Sequence, residues 1–295
     1  MKLRDYQQRT LDQLYSWFEK NKTGNPCLVL PTGSGKSHII AALCKEAIQN
    51  WPETKVLMLT HVKELIAQNA EKLRQHWPDA PLGIYSAGLG MKHLGEAITF
   101  GGIQSLRTKS DLIGFVDIAI IDECHLISTK DEGGYRTLLG ELLEINPKLR
   151  VIGLTATPYR LGHGYITQNG GLFDALIEPV RIQELIEGGY LAPLQSKQTG
   201  TELSVENVGK KGGEYIESEL QRAVDTEDQN VGVVDEVIAR AGERKAWLFF
   251  CAGVDHATHI RDVLIRRGIA AACVVGTTPK DEREQILEDF RAGKI

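Results

Sequence analysis

Apolar residues gather along the chain in short runs of strand length: "CLVL" (27–30), "KVLMLT" (55–60), "AITFGG" (97–102), "DIAIID" (117–122) and "LRVIGLTAT" (149–157). Most are separated by stretches of helical period, such as 39–47 and 65–73, so the pattern predicts strands alternating with helices. The runs lack apolar-polar alternation and are apolar on both faces, which predicts a parallel sheet covered by helices above and below. The polar words "PTGSGKS", "THVKE", "DECH" and "TATP" follow the strand ends. In such a sheet the crevice beyond the carboxyl ends binds ligands, and the chemistry is expected there.

Ahead of the first strand, 5–20 reads as an amphipathic helix with Leu11, Leu14, Tyr15 and Phe18 on one face and Asp5 as its N-cap. Past residue 158 a glycine-rich stretch predicts a loop, and "VRIQELIEGGYLAPL" predicts a helix closed by Gly188 and Gly189. A polar segment from about 195 to 228 leads to a second rhythm: helix 231–241, strand 246–251, helix 254–267, strand 271–275, helix 280–291. Two strands fall short of the roughly five usual in a sheet, so the second lobe is expected to be partial. The domains are therefore expected at 1–178, 179–229 as a connecting segment, and 230–295.

Composition narrows the class. Of 295 residues, 42% are hydrophobic, enough for two cores. No apolar run approaches the roughly 18 residues of a membrane span, and the N-terminal stretch alternates charged and apolar residues, unlike a signal peptide. A cytoplasmic location is expected. Cys27, Cys44, Cys124, Cys251 and Cys273 are scattered without a C-x-x-C pair, and most of them read as small buried hydrophobes. A net charge of -5 argues against nucleic-acid binding through bulk positive charge and leaves room for a local basic groove.

The sharpest chemistry lies at Thr32-Gly33-Ser34-Gly35-Lys36-Ser37. The two glycines let backbone N–H groups turn inward around phosphate oxygens at the start of a helix. Lys36 would reach the β- and γ-phosphates of ATP and Ser37 would hold Mg²⁺, although Leu30 stands where the general pattern G-x-x-x-x-G-K-[ST] has its first glycine. Such a loop needs a carboxylate at a neighbouring strand end. Asp122 would serve the Mg²⁺ and Glu123 would orient or deprotonate the attacking water. Cys124 and His125 are too few for a zinc site, and His125 reads as a hydrogen-bond relay.

With "DECH" and "TATP", this glycine-poor loop resembles the superfamily 2 helicases and translocases. "LRDYQQ" (3–8) is similar to their adenine-reading Q motif, "LTHVKELIAQN" (59–69) to motif Ia, "FGGIQSL" (100–106) to motif Ib and "LTATP" (154–158) to motif III. "AWLFFCAGVDHATHI" (246–260) is similar to motif IV, and 274–295 to the segment before motif V. Within the superfamily, "IGLTATPYRLG" resembles RadD-type bacterial DNA-repair helicases and phage relatives. The resemblance implies a RecA-like P-loop NTPase lobe followed by a partial second RecA-like lobe. It implies that Gln7 contacts adenine with Arg4 near the base, and that Thr60, His61, Lys63, Gln104, Ser105 and His256 contact a nucleic-acid strand, DNA more than RNA. Thr155 and Thr157 would couple that strand to the ATP site. Motifs V and VI, the latter a source of arginines for phosphoryl transfer, have no counterpart, so weak turnover by the chain alone is expected. Three readings stand: a helicase, the motor of a restriction or remodelling complex, and a nucleotide-binding interaction module without turnover.

Overall fold

Leu28, Met58, Phe100, Ile120 and Ile152 are buried together in one apolar cluster, and Cys27, Leu57, Leu59, Ala119, Ile121 and Val151 in another. Neighbours in sequence belong to opposite clusters, the period-two placement of a strand buried on both sides. A computed structural model describes residues 2–127, 134–160, 164–168, 170–197, 199–201, 203–211 and 214–295. The chain divides into two compact units, Met1–Pro193 and Leu194–Ile295.

The first unit runs α1 (Asp5–Lys20), β1 (Pro26–Val29), α2 (Lys36–Asn50), β2 (Val56–Thr60), α3 (Lys63–His76), β3 (Leu82–Ser86), β4 (Met91–Lys92), β5 (Ile98–Gly102), α4 (Ile103–Leu106), α5 (Ser110–Ile113), β6 (Ile118–Asp122), α6 (Gly134–Ile145), β7 (Arg150–Thr155), β8 (Tyr159–Arg160), β9 (Gly164–Tyr165), β10 (Ala175–Ile177) and α7 (Ile182–Glu187). Among the described residues the main sheet has the order β10-β1-β7-β6-β2-β5-β3-β4, parallel except for the β3–β4 edge pair. Leu11 and Leu14 of α1, Ile39, Ile40 and Leu43 of α2 and Ile66 and Leu73 of α3 complete the first cluster. Leu138, Leu139 and Leu142 of α6 complete the second. The α/β class and the parallel sheet are as the pattern predicted. Because the strands are parallel, Val29, Thr60, Gly102, Asp122 and Thr155 all end at one rim.

Two local expectations change. The N-cap of α1 is Arg4, and Asp5 lies in the first turn. The Gln7 side chain reaches back to accept the Arg4 N–H at 3.0 Å, so a residue inside the helix satisfies the orphan donor. The glycine-rich stretch holds the short antiparallel hairpin β8–β9.

The second unit comprises β11 (Lys210–Lys211), β12 (Glu214–Tyr215), α8 (Glu217–Val224), α9 (Glu227–Ala241), α10 (Val254–Arg266) and α11 (Lys280–Arg291). Val234, Ile260, Val263 and Leu264 form its core, with Trp247, Phe249 and Cys251 packed against it. The strands expected at 246–251 and 271–275 are not formed. Burial does alternate there, since Leu248 and Phe250 are exposed between the packed residues. A strand is defined by its ladder, however, and these segments have apolar alternation without a hydrogen-bonded neighbour. Cys27, Cys44 and Cys124 are buried, while Cys251 and Cys273 are half-buried. No helix among the described residues is long and apolar enough to cross a membrane.

Candidate active site

The loop between β1 and α2 owes its shape to two left-handed glycines, Gly33 at φ 81° and Gly35 at φ 82°. At both positions a side chain would be strained and crowded. A Cβ on Gly35 would lie 2.7 Å from Gln7 Nε2, and one on Gly33 would lie 2.8 Å from Leu191 Cδ2. Between them Ser34 is buried, its carbonyl accepting from the Tyr6 hydroxyl at 2.7 Å and from Gln7 Nε2 at 3.0 Å. The Ser34 hydroxyl has no hydrogen-bond partner although it is buried, and an orphaned donor beside such a loop fits an anion that is not part of the chain. Thr32 and Gly33 are exposed, and Lys36 and Ser37 are half-buried in the first turn of α2.

β6 delivers the acidic half. β1 and β6 both pair with β7, so their carboxyl ends lie two strand spacings apart on the same rim. Lys36 Nζ stands 3.7 Å from Glu123 Oε1. Glu123 has φ 51°, left-handed and unusual for a residue with a side chain, a strained conformation of the kind that clusters at functional sites. Asp122 is buried; burial pushes its carboxyl above the usual range, opposed by the hydrogen bond from Asn69 and by the Lys36 charge. Its Oδ2 accepts from Asn69 Nδ2 at 3.1 Å and its Oδ1 from the Glu123 N–H at 3.0 Å.

His125 closes the arrangement. Its Nδ1 is hydrogen-bonded to Thr155 Oγ1 at 2.8 Å and lies 3.5 Å from Glu123 Oε2. Burial lowers its pKa despite the Glu123 charge, so the ring is neutral at neutral pH. Thr155 Oγ1 also accepts the Thr157 N–H at 3.0 Å, tying the end of β7 to the same network.

The other sequence-predicted residues fall in two places. Lys63 and Gln104 are exposed near the rim. The Lys63 stem lies beside Gly88, while the Ser105 hydroxyl accepts the neighbouring Ala87 N–H at 3.0 Å. Thr60 is fully buried, with its hydroxyl accepting the Val62 N–H at 3.4 Å, and His61 Nδ1 is buried without a partner. Gln7 is only 4% exposed, and both ends of its amide are engaged, by Arg4 N–H and by Ser34 O. His256 belongs to the second unit, where its Nδ1 accepts the Ala252 N–H at 3.2 Å.

Asn69, Tyr6 and Tyr190 escaped the sequence reading. Asn69 carried a signal, since it interrupts the apolar stripe Ile66, Ala70, Leu73 of α3 with a fully buried amide. Among the described residues no group of three or more His, Cys, Asp or Glu could hold a metal by itself.

The family model of the type III restriction enzyme res subunit matches residues 1–160, the stretch that carries this whole loop, carboxylate and threonine network. The chain belongs to that family. It is 27% identical over 302 aligned residues to irc3 of Schizosaccharomyces pombe, whose name describes a mitochondrial ATP-dependent helicase, and the match covers 100% of this chain and 48% of irc3. It is 25% identical to the DNA 3'-5' translocase XPB2 of Sulfurisphaera tokodaii, covering 100% of this chain and 69% of XPB2. The crystal structure of the UvsW helicase from bacteriophage T4 matches with a TM-score of 0.48 at 23% identity over 61% of each chain. The chain thus spans about half the length of irc3. Membership of the family, with the likeness to irc3 and XPB2, agrees with the superfamily 2 resemblance read from the motifs.

Proposed function

We propose that this protein is an ATP-dependent nucleic-acid motor, a helicase or translocase acting on DNA, with its nucleotide site at the rim formed by β1, β6 and β7. The observation that supports the reading is the 3.7 Å approach of Lys36 to Glu123, which brings the loop lysine to one of the strand-end carboxylates. The backbone N–H groups of 32–37 and Lys36 would hold the triphosphate. Ser37 and Asp122 would hold Mg²⁺, which when bound neutralises phosphate charge. Asp122 is suited to this role because a buried carboxylate gains most from a cation.

Glu123 holds water in position and takes its proton. Its counter-charge is Lys36, with the neutral His125 beside it, so occupation of the loop by phosphate, which draws Lys36 away, frees Glu123 for that work. His125 and Thr155 pass the rearrangement to β7 through a single hydrogen bond. Lys63 and Gln104 supply contacts to the phosphates and sugars of a strand, which position it without reading sequence. A role in DNA repair or replication, in the manner of RadD-type proteins, belongs to the same proposal through the shared wording of 152–162.

The test is phosphate release from ATP with single-stranded DNA, duplex and RNA at fixed salt, in the wild type and in Lys36→Ala and Glu123→Gln. The proposal expects nucleic-acid-dependent release that both substitutions abolish. Release that neither substitution affects would remove it. The restriction-enzyme description of the family suits a second reading, the motor of a restriction or remodelling complex, which we infer would move on duplex without separating strands. Displacement of a triplex-forming strand, with no unwinding of a forked substrate, would establish that version.

A further inference from the structure

The turn after α7 reaches back to the phosphate loop. Gly189 has φ 69°, and the N–H groups of Tyr190 and Leu191 both donate to the Leu185 carbonyl, at 2.8 and 3.0 Å. Arg9 of α1 holds this segment through Nε to the Pro179 carbonyl at 2.9 Å and Nη2 to Glu184 at 2.8 Å. Both neighbours of the loop are therefore fixed. Leu191 fills the space a side chain on Gly33 would need.

Tyr190, one residue earlier, meets the Tyr6 ring edge-on at 5.2 Å between centroids, and the Arg4 guanidinium lies 4.7 Å above the Tyr190 ring. Arg4 also donates to the Tyr6 hydroxyl at 3.3 Å, and that hydroxyl donates to Ser34 O. An arginine stacked on a tyrosine thus stands one side chain away from the phosphate cradle, on the side where α1 meets it. Arg4 is exposed and Tyr190 is 43% exposed. Gln7, by contrast, is buried and occupied at both ends. Planar guanidinium and aromatic surfaces are what nucleobases stack on, and the larger ring system of a purine covers more of such a surface.

We propose that Tyr190, through its stack with Arg4, forms the wall against which the base of the bound nucleotide packs, and so favours purine over pyrimidine triphosphates. The inference rests on the nucleotide reading of the loop, and its test separates the two. Titration calorimetry on the full chain would compare ATP, CTP and inorganic tripolyphosphate, each with Mg²⁺, in the wild type, Tyr190→Ala and Tyr190→Phe. Loss of one stacking partner should weaken ATP binding about tenfold in Tyr190→Ala, narrow the preference for ATP over CTP, and leave tripolyphosphate affinity unchanged. Tyr190→Phe should restore both ATP affinity and preference. Unchanged ATP affinity in Tyr190→Ala, or equal proportional losses for ATP and tripolyphosphate, would reduce the ring to a packing element and overturn the inference. A wild type that binds neither ATP nor tripolyphosphate would overturn the nucleotide reading itself, and this inference with it.

Discussion

Lys36 and Glu123, 87 positions apart in sequence, form an ion pair of 3.7 Å across the end of β7. Glu123→Gln keeps the shape and removes the proton acceptor, so nucleotide binding should persist while turnover falls by about 10²-fold or more. Lys36→Ala should lose nucleotide affinity itself. Equilibrium binding measured beside phosphate release separates the two outcomes.

Gly35→Ala places a methyl group at φ 82°, where it meets Gln7 Nε2 at 2.7 Å. The left-handed conformation alone should cost about 1–2 kcal/mol, and relief of the clash moves Gln7 away from Ser34. Thermal denaturation should report the cost. Loss of nucleotide binding beyond what the lost stability explains would report the deformed loop.

Asn69→Leu removes the amide that donates to Asp122. Leaving a buried carboxylate oxygen unsatisfied should cost about 1–3 kcal/mol in chemical denaturation near neutral pH. The sign with pH follows from the raised pKa of Asp122, for which burial is the main cause and which Asn69 opposes. A raised carboxyl contributes stability below its ordinary value of 3.8 and loses it as pH rises through the folded value. The deficit of Asn69→Leu should therefore shrink in acid, where the carboxyl is protonated, and be full above that range.

The rhythm of apolar runs between helical stretches and the motif words made β1, β2, β5, β6 and β7 legible, because each is a continuous apolar run closed by a polar word. β3, β4 and β10 were not, since two are edge strands and β3 is a short run around Gly83. In the site, Lys36, Asp122 and Glu123 announce themselves by type and spacing. Tyr190 could not, because its relation to Arg4 exists only once α7 has docked on α1 through Arg9. The missing strands at 246–251 and 271–275 show the converse, since burial alternates there but pairing depends on a neighbour that local sequence does not encode.

Lys63→Ala should lower affinity for nucleic acid of any sequence alike and reduce the slope of log affinity against log salt by about one, the signature of a single phosphate contact. A titration series over salt concentration checks it. Gln104→Ala, which removes no charge, should weaken binding and leave that slope as it was.

His259 lies 2.9 Å from Asp225, and the hydrogen bond with that carboxylate raises its pKa above 6.5. Asp225 is held low by hydrogen bonds from Asn230 and His259, against the effect of burial, and stays ionised throughout. The pair should stabilise the second unit below 6.5 and lose its effect as pH rises through the folded value of His259. His256, whose pKa is lowered by burial, works in the opposite sense as pH falls. Hydrogen-exchange protection of the α10 amides over about pH 6 to 8, corrected for intrinsic rates, should decline as pH rises, and His259→Ala should flatten that decline.

The Ser34 carbonyl receives Tyr6 and Gln7 together, and pinning one carbonyl sets where the following peptide N–H points. The curvature of the loop is therefore inherited from a helix that lies outside the motif in sequence. A segment grafted as 29–37 into a foreign scaffold would bring every letter of the phosphate signature and leave its shape behind. Asp5–Lys20 would have to travel with it.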